Sequence, residues 1–203
     1  MLETLKSGGP LMIPIIICGI IATFIIIERC IYFVSIKKKD VKLMYNLDGS
    51  LAAGNFDACA AACAEADTPM SQVVKKAMDC RRYQESDLRE AVEAEMITVV
   101  PRFEHLLTAL GTIANIATLL GLLGTVTGNI KAFGVLGGGA SMGDPALLAN
   151  SIAEALMTTV AGLCVSIPSV IFHNYFISQV NHRIVEMEAN VTSVLLRLTG
   201  RVK

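Results

Sequence analysis

The chain has 203 residues, of which 53% are hydrophobic and 17% are charged, with a formal net charge of −1. Soluble globular domains contain about 45–50% apolar and about 25% charged residues, so this composition indicates a membrane protein and argues against a water-soluble one. A net charge so close to zero gives no general attraction to nucleic acid, and no nucleic-acid partner is expected.

Three apolar stretches are each long enough to cross a bilayer as a helix. About 20 helical residues span the hydrocarbon core, and the stretches cover residues 11–36, 106–133 and 147–177. The first is too long for the apolar core of a cleaved signal peptide, and no A-x-A-type site follows it. We therefore predict an all-α integral membrane protein with three transmembrane helices in the lipid bilayer.

The distribution of basic residues predicts the orientation of these helices. A run of lysines begins at Lys37, directly after the first stretch, and such runs mark the cytoplasmic side of a span. The connection 134–146 contains no Lys or Arg, as expected of an outer loop. The N-terminus is thus predicted to lie outside and the C-terminus inside. The predicted segments are the outer N-terminus 1–10, the first span 11–36, the cytoplasmic insert 37–105, the second span 106–133, the outer loop 134–146, the third span 147–177 and the cytoplasmic C-terminal helix 178–203.

The cytoplasmic insert 37–105 is predicted to be helical. Asn55 can cap an Ala-rich helix, FDACAAACAEA, by accepting a backbone N–H. Thr68-Pro69 can start a second helix, because proline is favoured at the first helical position. Ser86-Asp87 can start a third helix, in which apolar residues recur at helical spacing. This third helix either continues into the second span or is interrupted or kinked at Pro101.

The reactive side chains form no recognisable catalytic or metal-binding set. Cys59 and Cys63 lie one helical turn apart, but a metal site would need further ligands. Cytoplasmic thiols stay reduced, so these cysteines are expected to be structural. The glycine-rich sequence GVLGGGAS lacks the lysine of a phosphate-binding loop. We therefore expect no enzyme activity, no metal and no cofactor.

Small and hydroxyl-bearing side chains recur on one face of the second and third stretches. Residues three and four apart share a helical face, and small residues there let two helices approach closely. Gly121/Thr125 and Gly124/Gly128 are such pairs. The series on the second stretch is Gly111, Ala114, Thr118, Gly121, Thr125 and Gly128, and that on the third is Ser151, Ala155, Thr159, Gly162, Ser166 and Ser169.

Glu154 is the most unusual residue of the third stretch. An acidic side chain at the centre of a transmembrane helix is unfavourable by about 2.5–3.5 kcal/mol, so an intramembrane carboxylate is a functional candidate. One interpretation makes Glu154 structural, either paired with Lys131 or protonated in its buried position. The other places it in a polar cavity that conducts ions or protons, with Thr125 and Thr159 holding water or relaying protons. On physical grounds both interpretations of Glu154 are open.

Several motifs between Leu106 and Phe176 resemble one protein family. GLLGTVTG, IKAF, a glycine-rich loop and IAEALMTTVAGLCVSIPSVIFHNYF occur in this order, and together they are similar to the ExbB/TolQ proton-channel family, which is distantly related to MotA. The Ile-rich first stretch, which ends in Glu28-Arg29, fits the same family. MotA-like stators generally have four spans, a larger cytoplasmic domain and no such glutamate, so the chain looks like an ExbB or TolQ protein.

The resemblance implies an assembly and a mechanism. ExbB-like subunits form a homopentamer of long helices whose second and third spans line a central pore. Two single-span partners of the ExbD/TolR type would lie in this pore, each with an intramembrane aspartate that carries the proton. Proton flow would drive rotation or rearrangement, and force would pass to a TonB- or TolA-like protein that reaches toward the outer membrane. The expected location is the bacterial inner membrane.

The resemblance also assigns individual residues. The Thr of the family's GTV motif matches Thr125, the Glu of its AEAL motif matches Glu154, and the Thr five residues later matches Thr159, so these three are expected to line the pore. Some members have a Trp after GTV, whereas this chain has Thr127. The residues expected to pack the helices against one another are Gly121, Gly124, Gly128, Gly162 and Pro168. Pro168 matches a proline of the family.

Two other functions compete with that of a proton-driven motor. A non-conducting scaffold would only hold a force-bearing partner, with Glu154 binding that partner structurally. A small-solute transporter would be expected to show internal repeats or broken helices in matching halves. The three unequal spans of this chain show no such repeat, which disfavours the transporter.

Overall fold

The structure is a computed structural model that describes residues 9–137 and 145–199. All regular secondary structure in these two ranges is helical, which confirms the predicted all-α class. The helices of the described residues are, in chain order, α1 (Met12–Ala52), α2 (Phe56–Ala66), α3 (Pro69–Asp79), α4 (Glu85–Glu104), α5 (Leu107–Gly137) and α6 (Pro145–Leu198).

Three helical segments are long and apolar enough to cross a membrane, as the sequence predicts. They are Met12–Leu51, Glu85–Gly134 and Pro145–Leu198, with 40, 50 and 54 residues, and the second of them comprises α4, a turn at residues 105–106 and most of α5. A span needs only about 20 helical residues, so each segment contains roughly twice that length or more. The predicted outer loop 134–146 is shorter than expected, because residues 134–137 and 145–146 are helical, and its centre lies outside the described residues.

The start of α4 and its separation from α5 differ from the prediction. The helix begins at Glu85 rather than at Ser86-Asp87, and its N-cap residue, Gln84, makes no side-chain capping bond. Pro101 lies inside α4 and does not interrupt it. The break comes later, at Leu106, which has a φ of +64°. A left-handed residue cannot continue a right-handed helix, so α4 ends before the second span begins.

The caps of α2 and α3 are those that the sequence predicts. The Asn55 side chain accepts a hydrogen bond from the Ala58 N–H at 3.1 Å. The Thr68 hydroxyl accepts one from the Ser71 N–H, while the Ser71 hydroxyl accepts one from the Thr68 N–H. Pro69 occupies the first turn of α3. These bonds satisfy backbone donors that have no partner within the helix.

The chain divides into two compact units. The first comprises Met1–Glu28 and Leu106–Tyr175, and the second comprises Arg29–His105 and Phe176–Lys203. The first unit therefore contains the most apolar part of each predicted span. The second contains α2, α3 and α4 together with portions of α1 and α6.

In the first unit, α5 packs antiparallel to α6, while α1 packs parallel to α6. A Cβ atom on Gly111 would lie 2.9 Å from the His173 ring, and one on Gly124 would lie 2.6 Å from Thr158 Cβ, so residue numbers rise on α5 as they fall on α6. Gly9, just before α1, lies against Glu154, and a Cβ on Gly19 would lie 3.1 Å from Val165 Cγ2, so residue numbers rise together on α1 and α6.

In the first unit many large apolar residues are exposed and small residues are buried along the α5–α6 contact, although Ile15 and Leu110 are buried as well. Ala117 is fully buried at 0% exposure, whereas Phe24 and Phe133 are 67% and 70% exposed. In water this arrangement would leave the main apolar surface unburied. In lipid there is no such penalty, and small inward side chains let helix backbones approach closely. The pattern therefore fits the apolar solvent that the sequence predicts.

The second unit has an ordinary hydrophobic core. Phe33 stacks on Phe176 with ring centroids 5.8 Å apart, and both rings are buried. Cys59 and Cys63 are buried free thiols, and burial together with the neighbouring Cys59 raises the pKa of the Cys63 thiol to about 11. A thiol that stays protonated is unreactive, which agrees with a structural role. Other buried members of this core are Leu43, Leu47, Met70, Val73, Val92, Phe103 and Met187.

Asp40 is a buried carboxylate in the second unit. It is 9% exposed, close to Arg183, which is 7% exposed. The Arg183 guanidinium donates a 2.6 Å hydrogen bond to Glu186. Burial raises the pKa of Asp40 above its ordinary value of 3.8, although a hydrogen bond with Thr68 and the charge of Arg183 act in the opposite direction. The native state therefore holds this proton more tightly than the unfolded chain does.

We expect Asp40→Asn to stabilise the second unit at neutral pH but not in acid. Well below pH 3.8 the carboxyl is protonated in both states, and the two proteins should be equally stable. As the pH rises above that value, the unfolded wild type releases the Asp40 proton at a lower pH than the folded wild type does, and this lowers the folding stability of the wild type. Asp40→Asn has no such proton to release, so it keeps its stability. The check is the denaturation midpoint of both proteins in mild detergent between acid and neutral pH. A variant that becomes the less stable protein as pH rises would show that the attraction of Arg183 dominates.

Candidate functional site

The backbones of α5 and α6 approach each other closely at Gly121 and Gly162. A Cβ atom on Gly162 would lie 2.6 Å from the Ala117 carbonyl oxygen and 2.9 Å from Gly121 Cα. A Cβ on Gly121 would lie 3.3 Å from Thr159 Cα. Both contacts are with backbone atoms, so only glycine fits at Gly162 without moving a helix.

Two further glycines of α5 lie against α6. A Cβ on Gly124 would lie 2.6 Å from Thr158 Cβ. One on Gly128 would collide with the Ala155 Cβ and lie 3.0 Å from the Ser151 carbonyl oxygen. The small-residue faces that the sequence shows on the second and third stretches thus contact each other along several turns.

Hydroxyl groups join the two helices across this contact. The Thr159 hydroxyl donates a 2.8 Å hydrogen bond to the Gly121 carbonyl oxygen. The Thr118 hydroxyl donates to the Ser166 hydroxyl at 2.6 Å. Thr125 instead donates to the Leu122 carbonyl of its own helix at 2.7 Å. Interhelical hydrogen bonds of this kind contribute about 0.6–2 kcal/mol each in membrane proteins.

Glu154 pairs with Lys131 at one end of the α5–α6 contact. The Lys131 Nζ donates to Glu154 Oε1 at 2.7 Å. The side chains are 50% and 27% exposed, respectively. An intramembrane carboxylate is far less unfavourable when it pairs with a cation. The structure therefore gives Glu154 the cationic partner that one interpretation of the sequence requires.

The three predicted pore residues occupy one stretch of the α5–α6 pair without bonding one another. Thr159 bonds to α5, Glu154 bonds to Lys131, and Thr125 bonds within its own helix. Among the described residues, no hydrogen bond connects these three side chains. Their polar groups therefore form a series along the helices rather than one compact cluster.

The predicted packing residues fall into two groups. The four glycines Gly121, Gly124, Gly128 and Gly162 are buried at the helix contact, whereas Pro168 is exposed. Pro168 lies inside α6, where it lacks the N–H that would bond to the carbonyl four residues earlier. Its position on α6 is therefore on the outer side rather than at the α5 contact.

Two features of the first unit were not visible in the sequence. The His173 ring lies over Gly111, and within the described part of the chain its buried Nδ1 has no hydrogen-bond partner. Gly9, which precedes α1, lies directly against the Glu154 carboxylate. Neither contact follows from spacing within one helix, because each joins residues distant in the chain.

No metal centre accompanies these polar residues in the part of the chain that the structure describes. Residues 9–137 and 145–199 hold no group of three His, Cys, Asp or Glu side chains that could bind a metal ion. The chemistry available at the α5–α6 contact is thus that of one ion pair and several hydroxyl groups.

Comparisons with known proteins agree on one family. Residues 65–189 match the MotA/TolQ/ExbB proton channel family, a transport family and not an enzyme family. The biopolymer transport protein ExbB-like 3 of Synechocystis sp. is 28% identical over 171 residues, which cover 84% of this chain and 81% of that protein. The biopolymer transport protein ExbB of Neisseria meningitidis is 29% identical over 188 residues and 84% of each chain. The Tol-Pal system protein TolQ of Haemophilus influenzae is 35% identical over 91 residues, or 45% of this chain and 40% of that protein.

We expect Gly162→Ala to force α5 and α6 apart and to lower the unfolding midpoint in mild detergent. The added methyl group would meet the backbone at Ala117 and Gly121, and such overpacking typically destabilises by about 1–3 kcal/mol. Gly134→Ala is the matched control, because a Cβ there has nothing within 4 Å. Equal unfolding midpoints for the two variants would contradict the close helix contact.

Proposed function

The chain belongs to the MotA/TolQ/ExbB proton channel family, and on that premise we propose that it is an ExbB/TolQ-like stator subunit driven by the proton motive force. The observation that carries the proposal is the Glu154–Lys131 pair next to the hydroxyl-bearing contact of α5 and α6. Charged side chains are rare within membrane spans and mark ion pathways, proton relays or binding sites.

The proposed assembly is a homopentamer in the bacterial inner membrane, with the N-terminus outside and the C-terminus inside. Large apolar side chains on α5 and α6 remain exposed in the single chain, among them Leu119 and Leu122 at 62% and 58% and Leu156 at 59%. Such surface suits contact with neighbouring subunits or with lipid. Residues 37–105 and the tail 178–203 would form the cytoplasmic part.

In this proposal α5 and α6 line a central pore that holds ExbD/TolR-like single-span partners. Each proton that crosses the membrane releases about 2.3 kcal/mol per 100 mV, so many small steps would power the work. The intramembrane aspartate of the partner would carry the proton. Force would then pass to a TonB- or TolA-like protein for transport or envelope work at the outer membrane.

Glu154 is a fixed carboxylate of the pore wall in this mechanism, rather than the carrier of each proton. A side chain that holds Lys131 at 2.7 Å is positioned by that ion pair and is not free to follow a moving proton. Its charge and that of Lys131 would shape the field in which the partner's aspartate gains and loses its proton. Thr125 and Thr159 would supply hydrogen bonds along the same path.

The same ion pair supports a second candidate function, a non-conducting scaffold. If Lys131 serves only to neutralise Glu154, the pair would stabilise helix packing and the protein would merely hold a force-bearing partner. The scaffold predicts that a protonophore leaves its action unchanged, whereas the stator predicts that a protonophore stops it.

We expect Glu154→Gln and Glu154→Ala to reduce energised uptake in cells while the complex still assembles. Uptake should fall strongly, because each substitution removes a charge from the span, where charged side chains mark ion pathways and proton relays. Glu188→Gln is the control, because Glu188 is an exposed carboxylate on the same helix. Normal uptake by either Glu154 variant, at normal complex levels, would rule out the functional role.

We also expect a small single-span protein to purify with this chain in mild detergent, and mass spectrometry would identify it. The stator requires that this protein carry an aspartate near the start of its span, because a partner must supply the mobile proton carrier. Purification without any such protein, from cells that show the activity, would favour the scaffold.

A further inference from the structure

Gly9 adopts a backbone conformation that favours glycine. Its φ is +68°, in the left-handed region, which side chains with a Cβ rarely occupy. Its carbonyl oxygen accepts a hydrogen bond from the Met12 N–H at 3.2 Å, at the start of α1. The position of Gly9 is therefore fixed by the first turn of the helix that follows it.

The Glu154 carboxylate lies in the space that a side chain at Gly9 would occupy. A Cβ atom there would overlap Oε1 and lie 2.9 Å from Cδ and 3.4 Å from Cγ. The same Oε1 accepts the hydrogen bond from Lys131 Nζ. One carboxylate oxygen is thus enclosed by the backbone before α1 on one side and by a cation from α5 on another.

We propose that Gly9 is a positioning residue for Glu154, which lets the carboxylate lie against Lys131 by leaving free the space that the carboxylate fills. The segment before the first span then belongs to the polar site of the second and third spans. Gly9 contributes in two ways: it has no side chain, and its backbone is held in place by the hydrogen bond from Met12 of α1.

A side chain at position 9 should displace the carboxylate rather than the backbone. The overlapping atoms belong to the end of a flexible glutamate side chain, which can rotate away, while the Gly9 carbonyl remains bonded to Met12. Rotation of Glu154 would carry Oε1 away from Lys131. The expected result is a folded protein in which the ion pair is lost.

Gly54 provides the matched control for backbone strain. Its φ is +69°, nearly that of Gly9, but a Cβ atom there meets nothing within 4 Å. Gly54→Ala therefore introduces the same left-handed strain without a collision. Any difference between Gly9→Ala and Gly54→Ala reports the contact with Glu154 alone.

The test is the rate at which dicyclohexylcarbodiimide labels Glu154 in the full-length protein, mapped by mass spectrometry. An ion pair shields a carboxylate from this reagent. Gly9→Ala and Lys131→Ala should each raise the rate on the order of threefold, as expected for loss of a partly exposed pair. Gly54→Ala should not change it, and the combined Gly9→Ala/Lys131→Ala variant should not exceed either single variant.

Unchanged labelling in Gly9→Ala, or an equal increase in Gly54→Ala, would overturn the proposal. Should Gly9→Ala fail to fold, Gly9→Asn replaces it, because Asn tolerates left-handed φ values better than other residues with a Cβ. Gly9→Asn also brings the Cβ atom that meets Glu154, so it must raise labelling as well. A folded Gly9→Asn protein with wild-type labelling would likewise overturn the proposal.

The inference rests on the proposed function only for its effect on transport, since labelling reports the geometry independently. If Glu154→Gln transports normally while Gly9→Ala raises labelling, the stator function fails and the positioning role stands. If Glu154→Gln abolishes transport while Gly9→Ala leaves labelling and uptake unchanged, the function stands and the positioning role fails.

Discussion

The contact between the backbones of α5 and α6 at Gly121 and Gly162 sets the geometry of the membrane-spanning unit. Because a Cβ at Gly162 would meet the Ala117 carbonyl at 2.6 Å, the helices can approach this closely only with glycine there. The approach brings the Thr159 hydroxyl within 2.8 Å of the Gly121 carbonyl. It also fixes the antiparallel register that places Glu154 opposite Lys131. The ion pair is therefore a consequence of how small residues are distributed along both helices.

The two units use different sources of stability. In the first unit small residues line the α5–α6 contact and many large apolar residues face outward, so close packing and interhelical hydrogen bonds take over much of the role of the hydrophobic effect. In the second unit, aromatic, aliphatic and thiol side chains form a conventional core, and helix caps such as Asn55 and Thr68 satisfy the helix ends. This contrast follows from the solvent that each unit requires. It explains why mutations to larger residues should matter most in the first unit.

Charge is handled differently in the two units as well. Glu154 is compensated by one lysine from the facing helix, so its position depends on helix register and on the backbone of Gly9. Asp40 is buried next to Arg183, yet burial still raises the pKa of Asp40 because desolvation outweighs the nearby positive charge. The Glu154 carboxylate is thus compensated by one charged partner, whereas the pKa of Asp40 depends on burial, a hydrogen bond and several nearby charges.

The sequence determines the helical class, the three apolar segments, the caps at Asn55 and Thr68 and the small-residue faces, because periodicity and capping are local properties of the chain. It identifies Glu154 and names Lys131 as a possible partner, but leaves open whether the two side chains meet. Tertiary structure decides that question, along with the left-handed break at Leu106 and the contact of Gly9 with Glu154. The ion pair depends on the register of α5 against α6, and the Gly9 contact joins residues 145 positions apart in the chain. No local pattern encodes these two contacts, since only packing brings residues of different helices within contact distance.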